Sequence, residues 1–331
     1  MTVTLRVVLD QLVAPDDADL AEASRELVAA LHETAPEGCV VEELVAARPR
    51  EMAPGGMVHS PTLRAPLARR GREATGDQTA VTVWDLRPWE APGELPHVQV
   101  ADARKRLRRA AKRADAVVVP THAMAERLRG LARLDDRVRV IAGAHPGGFG
   151  APTDAAARHR DLGLPARFVA LVGGEDGLPA GLAAAAPTGL DVVILDVRPE
   201  TAQAARTRAI SAGFDPARVH PLASLDRGDR ATVLSEAVLC LAPSGHSAWP
   251  WRALEAMALG TPLVALDSEV HREVVLDGGL VVAADELTAA VAETASGGRD
   301  AARLRVLGRD RSRAFSWAGA AERVWQLHAD L

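Results

Sequence analysis

Tyrosine is absent from this chain of 331 residues, and lysine is nearly absent: only Lys105 and Lys112 accompany 37 arginines. No phenol is therefore available as an acid, base or nucleophile. The second half of the chain has no lysine that could hold a phosphate or form a Schiff base. Aromatic residues make up 3% of the chain, which leaves few surfaces for stacking a base or a sugar.

Cysteine and long apolar runs are also scarce. Cys39 and Cys240 lie far apart with no Cys-x-x-Cys motif, which predicts neither a zinc site nor a disulfide framework and favours a reducing cytoplasm. The histidines show no metal-ligand spacing, so no metal or other cofactor is expected. No segment approaches the roughly 18 apolar residues that span a bilayer, and the first residues lack the pattern of a signal peptide. Any membrane contact should be peripheral, on the inner face of the membrane.

The net charge of -5 argues against nucleic acid as a partner, because nucleic-acid binding needs a basic surface. What the chain does contain is a regular alternation of short apolar runs with helical patterns, which predicts βαβ units and parallel sheets. The predicted strands lie at residues 5–9, 39–45, 80–85, 116–120, 138–142, 168–172, 191–197, 237–244, 262–267 and 279–284.

These runs predict an α/β protein with two doubly wound parallel sheets that face a cleft. Gly147, Gly148, Gly150 and Pro152 interrupt the pattern between the two sets of runs, which indicates a hinge. The predicted division is an N-terminal domain at 1–146, a hinge at 147–153, a C-terminal domain at 154–313 and a terminal helical segment at 314–331. Ligands of such sheets bind at the carboxyl ends of the strands.

The residues at 237–244 and the block Leu-Glu-Ala-Met-Ala-Leu-Gly-Thr-Pro at 254–262 resemble the donor-site core of family 4 glycosyltransferases, which have the GT-B fold. Further similarity lies at 114–121, 138–143, 168–173 and 315–317. The resemblance implies two Rossmann-like domains, with the acceptor on the first and a nucleotide sugar on the second. It also implies transfer with retention of configuration and a terminal helix that packs back on the N-terminal domain.

The resemblance assigns Glu255 to the ribose hydroxyls, in the first turn of a helix that starts near Trp251. A carboxylate there could equally rest against the helix dipole without any ligand. Ser247 occupies the position of an acid that the family directs at the transferred sugar. The donor-side set is Glu255, Ser247, Ser244, Trp249, Gly173 and Gly174.

Several charges that the family places around the diphosphate are missing. Gly174 and Pro179 occupy the positions of an arginine and a lysine, and Glu175 and Asp176 add negative charge. Pro250 removes an N–H group from the loop before Glu255. The family's glycine pair after the first strand is replaced by Pro15-Asp-Asp-Ala-Asp19, which is typical of a helix cap and first turn.

On the acceptor side, Trp84-Asp85 stands where the family has His-Asp, and His59 ends a short strand-like segment. His59 either faces the acceptor or is a structural histidine. Trp84, Trp89, Trp249 and Trp251 lie at or beside predicted strand ends. They could form a sugar-stacking platform, anchor a protein interface or fill an empty cleft.

A basic helix around 103–114 carries seven cations in ten positions beside an alanine and leucine stripe. The resemblance suggests contact with a membrane or a lipid phosphate, while the alternative is a solvated helix face. The residues proposed for this contact are Arg104, Lys105, Arg108, Arg109 and Lys112.

Two functions remain open. The first is a retaining glycosyltransferase that moves a hexose, for example mannose, from a nucleotide sugar to a glycan or a lipid-linked acceptor in polysaccharide or glycolipid assembly. The second is a catalytically inactive relative that acts as a partner subunit of a second, active glycosyltransferase or as a glycan-binding module.

Overall fold

The computed structural model describes residues 2–13, 17–49, 55–67, 77–223 and 225–331, with the side chains of Glu175 and Asp176 left out. The chain forms two compact units. Unit 1 comprises Met1–Gly147, His246–Trp249 and Phe315–Leu331, and unit 2 comprises Gly148–Gly245 and Pro250–Ala314. The first boundary falls between Gly147 and Gly148. The four residues His246–Trp249 therefore group with unit 1 although the predicted C-terminal domain contained them.

Unit 1 is built on a six-stranded parallel sheet with the order β2-β1-β3-β4-β5-β6. Its central strands are apolar and buried on both faces, as parallel strands covered by helices require. The strands are β1 Val3–Val8, β2 Cys39–Leu44, β3 Met57–Ser60, β4 Gln78–Thr82, β5 Ala116–Val119 and β6 Val138–Val140.

The helices of unit 1 are α1 Ala18–Glu33, α2 Arg87–Glu90, α3 His97–Arg113, α4 His122–Leu131 and α13 Trp317–Asp330. Asp17 caps α1 by accepting hydrogen bonds from the backbone N–H groups of Asp19 and Leu20. Pro15 and Asp16, which belong to the predicted cap segment, lie outside the described residues. The terminal helix α13 packs against α1 within unit 1 and buries a stripe at helical spacing, made of Ala321, Val324, Trp325 and His328.

Unit 2 has a second six-stranded parallel sheet, with the order β12-β11-β10-β7-β8-β9. Counted within the unit, this order is 6-5-4-1-2-3, the arrangement of the Rossmann fold. The predicted pair of doubly wound parallel sheets is thus confirmed. The strands are β7 Phe168–Leu171, β8 Asp191–Ile194, β9 Val219–Pro221, β10 Leu239–Ala242, β11 Leu263–Leu266 and β12 Leu280–Val282.

The sheet of unit 2 is accompanied by eight helices in the described part of the chain. Val192 and Leu241 in its strands and Leu182 and Val291 in its helices belong to one buried apolar cluster. The helices are α5 Ala155–Asp161, α6 Gly174–Ala185, α7 Ala202–Ser211, α8 Arg227–Glu236, α9 Trp251–Leu259, α10 Glu269–Val274, α11 Leu287–Ser296 and α12 Arg299–Ser312.

Each sheet has one point at which the chain reverses its direction of strand addition. This switch point lies between β1 and β3 in unit 1 and between β7 and β10 in unit 2. Loops that leave neighbouring strands on opposite sides of such a point open a crevice at the carboxyl edge. The residues that follow these four strands therefore form the first candidates for a binding site.

Candidate functional site

The switch point of unit 2 is formed by the glycines after β7 and by Pro243 and Ser244 after β10. Gly173 has φ +105° and directly precedes α6, and a Cβ added to it would lie 3.2 Å from Cβ of Ser244. At Gly177 an added Cβ would lie 2.8 Å from the backbone N of Ser244. The β7–α6 turn thus packs directly on the end of β10. This contact brings Gly173, Gly174 and Ser244 together beside the N-terminal N–H groups of α6.

Glu255 lies in the second turn of α9, not in its first turn, because the helix begins at Trp251. The residue is 2% exposed. Its carboxylate accepts hydrogen bonds from Arg230, at 2.9 Å from Nη2 and 3.2 Å from Nε, and from Arg252, at 3.1 Å from Nη1. The Glu255 carboxylate is therefore held by two buried guanidinium groups and not by the helix dipole.

Arg252 extends this contact into a chain of alternating charges that is buried except at the exposed Asp196. Its guanidinium also donates to both carboxylate oxygens of Asp196, at 2.9 and 3.1 Å. Asp196 follows β8 with φ +59°, a left-handed conformation that aspartate tolerates better than most residues. The series Asp196, Arg252, Glu255 and Arg230 compensates its own charges, so a ribose hydroxyl at Glu255 would have to displace an arginine.

The arginine partners of Glu255 were not predicted from the sequence. Arg252 stands three residues before Glu255, a spacing that places two side chains on one helix face, and this signal is visible in the sequence. Arg230 on α8 and Asp196 approach α9 only in the folded protein. Because both are far from α9 along the chain, no local sequence pattern indicates them.

Ser247 belongs to a four-residue segment that is built into unit 1. The backbone N–H and the hydroxyl of Ser247 both donate to the carboxylate of Glu90, at 2.9 and 2.7 Å. The imidazole of His246 lies 3.2 Å from the carboxylate of Glu94. Ala248 forms an antiparallel bridge with Asp85. The hydroxyl of Ser247 is thus already bound to a carboxylate of unit 1.

Trp249 is the last residue of this segment and packs in an aromatic cluster with Trp84 and Phe315. Its ring meets those of Trp84 and Phe315 edge-on, with centroids 6.3 and 5.6 Å apart. Trp84 is 8% exposed and Trp249 is 3% exposed. The Trp84 indole N–H donates to the carbonyl of Pro61 at 2.7 Å. Burial leaves neither ring a face for stacking on a sugar, so both tryptophans act as core residues of unit 1.

Asp85 and His59, the other acceptor-side residues, are also engaged by neighbours. Asp85 accepts 2.7 Å hydrogen bonds from the backbone N–H and from Nε of Arg87. His59 is 1% exposed and lies edge-on to His328 of α13, with centroids 5.7 Å apart. Burial, with a smaller contribution from His328, lowers the pKa of His59 to about 3. Burial alone lowers the pKa of His328 to about 4. This environment fits the structural interpretation of His59.

A polar cluster at the switch point of unit 1 was not predicted. Asp10 is fully buried, and its carboxylate accepts from the Thr62 hydroxyl and from the Gln11 amide, each at 3.0 Å. Nε of Arg64 lies 3.4 Å from the same carboxylate. Burial raises the pKa of Asp10, against the opposing hydrogen bonds and the charge of Arg64. A sequence signal was available, because Asp10 lies two residues after β1 and Thr62 lies two residues after β3.

The cations of α3 fall into two groups. Arg104 donates to the carbonyl of Pro88 at 3.0 Å, and Arg109 donates to the carbonyl of Leu67 at 2.8 Å. Lys105, Arg108 and Lys112 are exposed and form no hydrogen bond or ion pair with any described residue. Of the five residues proposed for membrane contact, Arg104 and Arg109 therefore hold the fold of unit 1 and three face solvent.

Among the described residues, no three histidine, cysteine, aspartate or glutamate side chains form a group that could hold a metal ion. No described helix combines the length and apolar character needed to cross a bilayer.

Comparisons with known proteins place this geometry in context. Residues 198–297 match the model of the family described as "Glycosyl transferases group 1". No curated protein matches the chain. Sucrose-phosphate synthase from Thermosynechococcus elongatus has a similar structure, with 17% identity and a TM-score of 0.70 over 99% of this chain and 98% of that one.

Two further solved structures share the arrangement. Anabaena HepE, solved with UDP and glucose, matches with 14% identity and a TM-score of 0.70 over 99% of this chain and 100% of that one. WaaG, a glycosyltransferase involved in lipopolysaccharide biosynthesis, matches with 12% identity and a TM-score of 0.59 over 97% and 98%. The chain therefore has the GT-B fold, and residues 198–297 are similar to the glycosyl transferases group 1 family.

Proposed function

We propose that this protein transfers a hexose from a nucleotide sugar to a glycan or lipid-linked acceptor, with retention of configuration, in polysaccharide or glycolipid assembly. The observation that carries the proposal is the switch point of unit 2, where Gly173, Gly174 and Ser244 lie at the start of α6 in a Rossmann-ordered sheet. Free N–H groups at a helix N-terminus bind phosphate, and they can stabilise a leaving diphosphate. UDP and glucose in HepE support a nucleotide sugar as the donor class.

No metal is invoked in this proposal, and the diphosphate would be held by backbone N–H groups alone. Pro179, an exposed residue within α6, occupies the position at which the resemblance expects a lysine. Pro179→Lys should therefore strengthen binding of the accepted nucleoside diphosphate by about fivefold, the effect of roughly 1 kcal/mol from one partly exposed ion pair. Pro179→Gln is the matched control, because it removes the proline without adding charge.

The experiment is a calorimetric titration of the full chain with UDP, GDP and their glucose and mannose conjugates, followed by assays of donor hydrolysis. The proposal predicts binding of one nucleotide and slow release of its sugar. Equal affinities of the lysine and glutamine variants would place the diphosphate away from α6. Failure of every nucleotide to bind would contradict the donor assignment itself.

A second candidate function is favoured by one specific observation, the engagement of Glu255 by Arg230 and Arg252. A carboxylate that already accepts from two guanidinium groups has little capacity left for ribose hydroxyls. In this alternative the protein is catalytically inactive and serves as a partner subunit of an active glycosyltransferase. Nucleotide binding that is abolished by Glu255→Ala would contradict the inactive alternative. Absence of binding by every nucleotide and nucleotide sugar in the titration would support it.

We also propose a peripheral contact with the anionic inner face of the membrane through Lys105, Arg108 and Lys112. Together with Val98, which is 79% exposed, these residues lie within about 80° of one another around α3. Basic residues near an anionic surface contribute about 1 kcal/mol each, and their effect is screened by salt.

Sedimentation with phosphatidylglycerol vesicles at two salt concentrations tests this contact. Phosphatidylcholine vesicles are the uncharged comparison. Arg108→Glu should reduce binding to the anionic vesicles, while Arg313→Gln, an exposed site beyond α12, should not.

A further inference from the structure

The two lysines of this chain are not scattered among its basic residues. Lys105 and Lys112 stand seven residues apart, which is about two helical turns, and Arg108 lies between them on the same face of α3. All three side chains are exposed and have no partner among the described residues. The remaining 37 basic positions of the chain are all arginine.

The cations of α3 that make described contacts are arginines, while both lysines lie on the exposed face that they share with Arg108. The cations that hold the fold are arginines: Arg104 donates to Pro88, and Arg113 donates to the carbonyl of Leu67 at 3.1 Å. A guanidinium suits such contacts because its donors are fixed in one plane. Both lysines occur on the face whose exposed cations, Arg108 among them, have no partner in the part of the chain that the structure describes. Arginine occupies all the other Lys or Arg positions of the chain, so lysine is confined to this one face.

On that face, lysine differs from arginine in its chemical reactivity. A guanidinium keeps its charge, whereas the amine of lysine can be acylated and thereby made neutral. We propose that Lys105 and Lys112 are acylation sites that switch off the positive charge of this face. The effect on membrane contact rests on the contact proposed above, while the reactivity of the two amines does not.

The reaction needs an activated acyl group, supplied by an acyl thioester or an acyl phosphate. The neutral Nζ attacks the acyl carbon, a C–N amide bond forms, and the C–S or C–O bond breaks. The thiolate or phosphate leaves with the bonding electron pair, and the attacking nitrogen releases a proton to solvent. Acylation of both lysines leaves Arg108 as the single unpaired cation of the three.

Loss of two surface cations should weaken binding to anionic vesicles by roughly 30-fold, at about tenfold per 1.4 kcal/mol. To test this, the full chain is incubated with acetyl phosphate or acetyl coenzyme A, and intact mass with peptide mapping locates the acyl groups. Sedimentation with phosphatidylglycerol vesicles then compares the treated and untreated protein. Acylation at both lysines accompanied by the loss of vesicle binding is the expected result.

The matched control is Lys105→Arg/Lys112→Arg, which keeps both charges and removes both amines, so its vesicle binding should not respond to the acyl donors. Lys105→Gln/Lys112→Gln should reproduce the acylated state without treatment. Vesicle binding that survives full acylation would overturn the switch, as would amines that stay unmodified while a lysine-containing peptide reacts in the same tube. Failure of the untreated protein to bind anionic vesicles would overturn the membrane contact together with the switch.

Discussion

The carboxylate of Glu90 accepts hydrogen bonds from both the backbone N–H and the hydroxyl of Ser247, a residue 157 positions away in the sequence. This pair anchors His246–Trp249 to unit 1, while the residues on both sides of the segment belong to unit 2. A carboxylate that binds two donors of one residue fixes the position of that residue. Ser247 is thus placed by Glu90, and its hydroxyl is already satisfied.

We expect Glu90→Ala to lower the free energy of unfolding by about 1–3 kcal/mol. The substitution removes hydrogen bonds to a charged acceptor, and it leaves the donors of Ser247, a residue that is 7% exposed, without that acceptor. Urea unfolding followed by tryptophan fluorescence measures the change, and Trp249 reports on the same segment. Glu94→Ala is the control, since the contact of Glu94 with His246 is more exposed and should cost less than about 1 kcal/mol. Equal losses in the two variants would show that Glu90 has no special role.

The buried ion pairs of Glu255 allow a second prediction. Arg230→Met removes a guanidinium that is 6% exposed and leaves the carboxylate with Arg252 alone. Breaking a buried pair from one side costs about 3–5 kcal/mol, because a charge remains without its partner in a poorly solvated site.

The double variant Arg230→Met/Glu255→Gln should recover part of this loss, since it removes both charges of the pair. Thermal unfolding of the two variants and the wild type distinguishes these outcomes. A single variant as stable as the wild type would contradict the importance of the pair.

The sequence was most informative where the fold depends on local periodicity. Buried strands such as β5 and β10 are runs of apolar residues, and the stripe on α13 predicts its packing. Strand β9, Val219–Pro221, was missed because its Val-His-Pro sequence is not an apolar run and ends in a proline at the sheet edge.

The candidate site was less predictable because its contacts join distant parts of the chain. The resemblance named Gly173 and Ser244 as donor-side residues, and the structure places both beside the switch point of unit 2. It could not show that Arg230 donates to Glu255 or that Ser247 donates to Glu90, because these pairs are 25 and 157 residues apart in the sequence. Tertiary contacts of this kind leave no periodic signal.

The histidine pair of unit 1 predicts a loss of stability in mild acid. The pKa values of His59 and His328 are lowered to about 3 and about 4 by burial, so the folded state prefers both rings neutral. In the unfolded chain both rings bind protons below about pH 6.5. The unfolded state therefore gains protons first as the pH falls, and the free energy of unfolding decreases from about pH 6.5 downward.

Between pH 7.5 and pH 5 the two histidines together should lower the free energy of unfolding by about 4 kcal/mol. Urea unfolding at several pH values measures the slope. His328→Gln should halve the slope, and His97→Gln, at an exposed position on α3, should leave it unchanged. A slope that is the same with and without His328 would contradict the assignment.

Gly143 provides the sharpest steric prediction. A Cβ added to Gly143 would lie 2.9 Å from Cζ3 of Trp84 and 3.1 Å from Nε1 of Trp249. Both rings are buried and rigid, so Gly143→Ala has to push apart the aromatic cluster that holds His246–Trp249 in unit 1. We expect the free energy of unfolding to fall by about 1–3 kcal/mol, the range for overpacking a core.

Gly130→Ala is the matched control, because the same change there meets nothing within 4 Å. Gly130 lies in α4, where alanine should raise the stability by about 0.5–1 kcal/mol through helix propensity. Chemical unfolding of both variants measures the sign of the change in the free energy of unfolding. The tryptophan fluorescence of Gly143→Ala should shift as the cluster opens. If the two alanine variants change stability in the same direction, the packing of Trp84 and Trp249 around Gly143 cannot be as tight as described.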